Sequence, residues 1–193
     1  MLRTKVILSQ VTNLSDARYA AGMGVDFIGF SIDPENPNFV TATHVNAIAD
    51  WLSGVSFIGE LGKGVTDSSD YKIDYIQISN TNDLSSLEEP IIELTLTKNN
   101  KTEISESIDQ LMTQASFFII KIKADELQST KDMLSEINTK AECYIATDFN
   151  ESNLDLVLET KPKGIVLYGT QEEKPGLSNY DGIADVLELL EEE

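Results

Sequence analysis

Cysteine, histidine and tryptophan each occur once in 193 residues, as Cys143, His44 and Trp51. A lone cysteine excludes an internal disulfide and fits a reducing cytoplasm. Cys143 sits in the apolar run ECYIA and reads as a small buried hydrophobe of a strand. His44 opens a helical pattern and is expected at the surface or half packed. No metal or cofactor is expected. Long apolar runs are also missing. No stretch of 18 or more apolar residues occurs, which excludes a membrane-spanning helix. The opening MLRTKVILSQ lacks the hydrophobic region of a signal peptide, and Lys5 to Val11 reads as a strand instead. Positive charge is scarce: 14 Lys and Arg face 33 Asp and Glu, a net charge of −19. That argues against nucleic acid and anionic membrane surfaces as partners. It also disfavours an anionic small molecule unless local cations offset it. Apart from the tail ELLEEE, the acids are spread along the chain as a solvated, solubilising surface.

Short apolar runs alternate with helical patterns. Strands are predicted at Lys5–Ser9, Phe27–Ser31, Ser56–Glu60, Tyr75–Ser79, Ile91–Leu96, Phe117–Ile122, Glu142–Ala146 and Gly164–Tyr168. Their Ile, Val and Phe content suits strands buried on both faces. Helices are predicted at Leu14–Ala21, Ala42–Leu52, Glu103–Gln114, Asp125–Asn138, Asn153–Thr160 and Tyr180–Leu190. Thr12 and Asn13 are good caps for the first of these, and Gly22 a good stop. The segments GKGVTDSSDYK and NTNDLSSLEE, after the third and fourth strands, are too short for more than a turn or two. Eight strands with intervening helices predict one α/β domain over residues 1–193. The expected architecture is a (β/α)8 TIM barrel whose helices after strands 3 and 4 are short or missing.

Several stretches then line up in order with one family. The first strand ends ILSQVTN, and LSDARYAAGMGVDFIGF follows; later come NPNFVT, DYIQIS and YGTQEEKPGLSN. In these motifs the chain resembles the phosphoribosylanthranilate isomerases of tryptophan biosynthesis. The similarity runs end to end and is weakest between residues 97 and 140. It implies a (β/α)8 barrel without cofactor. The implied reaction is an Amadori rearrangement, in which a general base takes a proton from carbon and a general acid serves the ring oxygen. It further implies backbone N–H groups for a phosphate and an arginine for the anthranilate carboxylate.

The positions to which the resemblance gives those roles hold other residues. The base position is Ser9, whose hydroxyl has no useful basicity without a partner base, and no histidine stands nearby. The acid position is Lys121. The carboxylate-binding arginine is replaced by Asn38. A Gly-Gly pair after the seventh strand reads Thr147-Asp148, and an anionic side chain there opposes a phosphate. After the eighth strand a Ser-Gly pair reads Tyr168-Gly169. A glycine-rich loop after the sixth strand reads KIKADELQ. Gln77, in DYIQIS, completes the implied substrate-binding set with Asn38, Thr147, Asp148, Tyr168 and Gly169.

Three readings follow. The first is a family-like barrel that binds a small molecule but has lost the isomerase activity, a pseudoenzyme. The second is an active isomerase of tryptophan biosynthesis. The third is a different barrel enzyme using the strand-end set Glu60, Gln77, Lys121, Thr147, Asp148 and Tyr168, with Lys121 as a Schiff-base nucleophile. The plainer expectation for Lys121 is a salt bridge to Glu60 or Asp148. The ligand is a small molecule, with a sugar phosphate among the candidates, and the chain is expected as a monomer or homodimer.

Overall fold

The chain is described here from a computed structural model, in which residues 1–62, 67–79, 84, 87–169 and 181–191 are described. Strands β1 (Lys5–Ser9), β2 (Phe27–Ser31), β3 (Ser56–Leu61), β4 (Tyr75–Ile78), β5 (Ile91–Thr95), β6 (Phe118–Lys121), β7 (Cys143–Ala146) and β8 (Gly164–Tyr168) pair in parallel. They close in sequence order, with β8 returning to β1 through five residue pairs from Lys5–Gly164 to Ser9–Tyr168. The fold is the expected (β/α)8 barrel.

Helices α1 (Leu14–Gly22), α2 (Ala42–Ala49), α3 (Lys101–Leu111), α4 (Leu127–Lys140), α5 (Glu151–Glu159) and α6 (Asp181–Leu190) lie between strands. The described residues between β3 and β4, and between β4 and β5, hold no α-helix, as the short segments there predict. Residues 63–66, 80–83 and 85–86 of those segments, and 170–180, which include most of YGTQEEKPGLSN and the expected helix start at Tyr180, lie outside the described residues.

Boundaries differ from expectation where capping decides them. α2 stops at Ala49 because Trp51 and Leu52 donate to Ile48 and Ala49, tightening the end into three-residue turns. α5 begins two residues early because Asn150 caps it, its side-chain oxygen accepting from the amides of Ser152 and Asn153. A 3-10 turn, Ala124–Glu126, precedes α4 where the resemblance implies a glycine-rich loop.

Strand alternation sorts the side chains into two cores. Outward residues such as Leu8, Ile28, Phe30, Ile120, Cys143 and Leu167 pack beneath the helices. Inward residues fill the barrel. Near the N-terminal ends of the strands Phe27, Tyr75, Phe117 and Tyr144 form an aromatic plug, with ring centroids 4.7 Å apart for Phe117–Tyr144 and 5.8 Å for Phe27–Tyr75. Ile7, Ile58, Ile91, Ile119 and Val166 occupy the middle. The same alternation carries the inward rows on to polar residues at the C-terminal ends, the face where barrels of this kind place their sites. His44 is exposed and Cys143 buried, as expected.

Candidate functional site

β1 places Ser9 two residues beyond the buried Ile7, and β3 places Glu60 two beyond Ile58, so both point into the barrel mouth. Ser9 Oγ donates to Glu60 Oε1 at 2.6 Å, and the backbone N–H of Gln10 donates to the same oxygen at 3.0 Å. Gln10 adopts φ 58°, a left-handed conformation that turns its amide inward at some backbone cost. Its side-chain oxygen accepts from Asn38 Nδ2 at 2.8 Å, which ties the loop after β2 to the end of β1.

Gly29 on β2 makes room for this arrangement. A Cβ there would collide with Glu60 Oε1 and lie 3.2 Å from the Ser9 Cα. The Glu60 carboxyl therefore occupies the space that a side chain at position 29 would need.

The second half of the mouth is built by β4, β5, β6 and β8. Gln77 Nε2 donates to Glu93 Oε2 at 3.1 Å. Lys121 ends β6, and its Nζ stands 5.5 Å from the centroid of the Tyr168 ring. A cavity of about 300 Å³ opens here, lined in part by Glu93, Lys121, Thr147, Asp148 and Tyr168. Thr147 Oγ1, Tyr168 OH, Gln77 Oε1 and Ser31 Oγ are buried without a hydrogen-bond partner among the described residues. A larger hollow of about 690 Å³ lies by Asp74, Tyr75, Glu89 and Ser116, at the N-terminal ends of the strands and away from this polar set. Functional chemistry in such barrels belongs to the opposite face.

Burial pushes the Glu60 carboxyl up to about 7, despite the opposing Ser9 and Gln10 hydrogen bonds; Glu93 adds to the rise and Lys121 opposes it. Burial also raises Glu93, again against the pull of Lys121. The Tyr168 hydroxyl is raised by burial first, then by Glu93, Glu60 and Asp148. The mouth thus holds a carboxyl raised to about 7, beside the Ser9 hydroxyl and within electrostatic reach of Lys121.

Two sequence expectations need correction. Ser9 does have a partner that can accept a proton, and it is Glu60 rather than a histidine. The salt bridge from Lys121 to Glu60 or Asp148 is not formed: among the described residues Lys121 makes no ion pair, and the aromatic face of Tyr168 holds it instead. Lys121, Thr147, Asp148 and Tyr168 do come together at one cavity. Gln77 reaches it through Glu93, whereas Asn38, bonded to Gln10, does not line it. Gly169 faces β1, its N–H donating to the Ser9 carbonyl at 2.7 Å. Sequence reading passed over Glu93; the inward alternation Ile91, Glu93, Thr95 on β5 is the signal that marks it.

Comparison with solved structures matches the whole barrel. Phosphoribosylanthranilate isomerase from Thermotoga maritima superposes with a TM-score of 0.73 at 15% identity, over 93% of this chain and 95% of that one. The enzyme from Pyrococcus furiosus gives 0.72 at 13%, over 96% and 97%. An isomerase crystallised with reduced 1-(o-carboxyphenylamino)-1-deoxyribulose 5-phosphate gives 0.72 at 15%, over 96% and 97%. This chain has the phosphoribosylanthranilate isomerase fold. No protein-family model and no curated protein sequence matches it. At identities this low the likeness concerns the isomerase fold, and chemistry has to be argued from the residues in the mouth.

Proposed function

We propose that this protein is an isomerase-like barrel that binds a small polar molecule at its C-terminal mouth and does not catalyse the Amadori rearrangement of phosphoribosylanthranilate. The observation that carries the reading is the Ser9–Glu60 hydrogen bond. The position given the base by resemblance holds a hydroxyl, which is no base of its own, and its hydrogen bond is taken up by the Glu60 carboxyl. The position given the acid holds Lys121, and that given the arginine holds Asn38, already committed to Gln10. The unpartnered hydroxyls of Thr147 and Tyr168 are the groups a ligand in the 300 Å³ cavity would satisfy. Purified protein should show no turnover of phosphoribosylanthranilate, and the gene should fail to rescue a strain lacking the isomerase. Rescue would overturn the reading.

A second reading is favoured by Glu60 itself. A carboxyl raised to about 7 one hydrogen bond from the base position is tuned for proton transfer at neutral pH. Here Glu60 replaces the thiolate and the isomerase remains active. Turnover abolished by Glu60→Gln but kept by Ser9→Ala would select it.

A further inference from the structure

We propose that Lys121 captures small hydroxylated aldehydes or ketones as a Schiff base in the mouth cavity. This rests on reading the mouth as a ligand site and names the class of ligand. Arg3, Lys72, Lys131, Lys140 and Lys163 each sit beside a carboxylate. Lys121 has no such partner among the described residues; Lys5, Arg18, Lys98, Lys101, Lys123 and Lys161 have none either, but of these only Lys123 shares with Lys121 the cavity that Glu93 and Asp148 line. Its amine is not tied to a carboxylate oxygen there and stands over the Tyr168 ring at the edge of the cavity. Leu96, Ile122 and Ala146 supply buried apolar wall beside it. Thr147 Oγ1 and Tyr168 OH await partners in the same space. Hydroxyls of a small sugar-like carbonyl compound have the donors and acceptors to meet them.

The step balances with groups already present. The unprotonated Lys121 amine attacks the carbonyl carbon, a C–N bond forms, and the π pair moves to oxygen. The nitrogen loses a proton and that oxygen gains one, giving a neutral carbinolamine. A carboxyl proton then passes to the carbinolamine hydroxyl, the C–O bond breaks, water leaves, and a protonated imine remains. Glu93, which lines the cavity with Lys121 and whose carboxyl is raised by burial, is the group placed to pass a proton in this step.

Borohydride reduction of full-length protein incubated with glycolaldehyde or dihydroxyacetone tests the proposal, with each lysine read by peptide mass spectrometry. Lys121 should carry an adduct of the compound's mass less one oxygen, at several times the occupancy of Lys161, which is exposed as Lys121 is, and should saturate as the compound is raised. Lys121→Arg keeps the charge and the contact with Tyr168, so it should fold normally and lose the adduct. Thr147→Val should reduce the selectivity for Lys121. Labelling of Lys121 at or below the level of Lys161, or without saturation, overturns the proposal. A rise in melting temperature with these compounds while Lys121 stays unlabelled overturns the Schiff base and leaves the ligand site standing. No labelling together with no thermal shift from these compounds or from a wider panel of small polar molecules overturns both.

Discussion

Ser9 Oγ donates to Glu60 Oε1 across 2.6 Å, and both residues are almost wholly buried in the barrel mouth. The two lie 51 positions apart in sequence, on strands separated by β2. Gly29 is what lets them meet, because β2 presents no side chain between them. Two hydrogen bonds converge on one carboxyl oxygen, yet burial still outweighs them and holds the group above its ordinary range.

The raised Glu60 carboxyl makes stability depend on pH. In the unfolded chain it ionises near 4.5, and in the folded barrel only near 7. As pH rises through that window the unfolded state sheds the proton first, so stability present below 4.5 is lost above 7. Glu60→Gln does not titrate and keeps an acceptor for Ser9 and Gln10. It should be more stable than the parent at about pH 8 by on the order of 3 kcal/mol, the gap closing toward low pH. Urea melts across this range are the measurement; an equal or lower stability of the variant at high pH would contradict the burial argument.

Ser9→Ala should move the same carboxyl upward. The hydroxyl bonds the charged form of Glu60 and so lowers its pKa; without it, burial acts less opposed. Side-chain carbon NMR of labelled glutamate would follow Glu60 directly. A titration unchanged or shifted downward in the variant would mean that water replaces the hydroxyl.

Most of the barrel was legible because strand and helix periods are local. β1, β2 and β8 fall at their expected residues, since each is a nearly continuous apolar run. Helix ends moved where a cap acted, as at Asn150. That the strand ends bring Lys121, Thr147, Asp148 and Tyr168 to one cavity was legible by position. The pairings there were not. Whether Lys121 meets a carboxylate or an aromatic face depends on side-chain direction in three dimensions, and the partner of Ser9 is fixed by the absence of a side chain at Gly29. A glycine amid apolar neighbours carries no mark of what fills its space.

Gly29→Ala tests that space. The added methyl would collide with Glu60 Oε1 and press on the backbone at Ser9. Overpacking of this kind costs roughly 1–3 kcal/mol. Part of the loss should be recovered by adding Glu60→Ala, which removes the obstructing carboxyl, and the double-mutant cycle should show a favourable coupling. Additive effects would mean that Gly29 does not shape the Glu60 position.

At the other end of the barrel, Phe27→Ala should be costly for stability and nearly silent at the mouth. Phe27 sits within 6.0 Å, centroid to centroid, of Tyr75, Phe117 and Tyr144. Truncating a buried phenylalanine costs about 3–5 kcal/mol. Denaturant midpoints should fall sharply while the Glu60 titration stays in place. A mild loss would mean that the plug collapses to fill the gap.

Finally, the mouth should grip phosphate weakly. A phosphate site in such a barrel relies on backbone N–H groups left free at loops and helix starts. Here the Gly169 amide is spent on the Ser9 carbonyl at 2.7 Å. The amides of Ser152 and Asn153, at the start of α5, both go to the Asn150 side chain. Asp148 places an exposed carboxylate on the approach, in a chain of net charge −19. A phosphate about 4 Å from one carboxylate faces roughly 4 kcal/mol of repulsion per unit charge at an effective dielectric of ~20. Lys121 and Lys123 line the same cavity, but their two charges only balance Asp148 and Glu93. Calorimetric titration with sulfate or ribose 5-phosphate at low ionic strength should therefore detect no micromolar binding. A micromolar dissociation constant, or protection of the Thr147 or Gly169 amides by the anion, would defeat the prediction and strengthen the active-isomerase reading. If Asp148→Gly binds sulfate where the parent does not, that one carboxylate is the obstacle; if neither binds, the committed amides are.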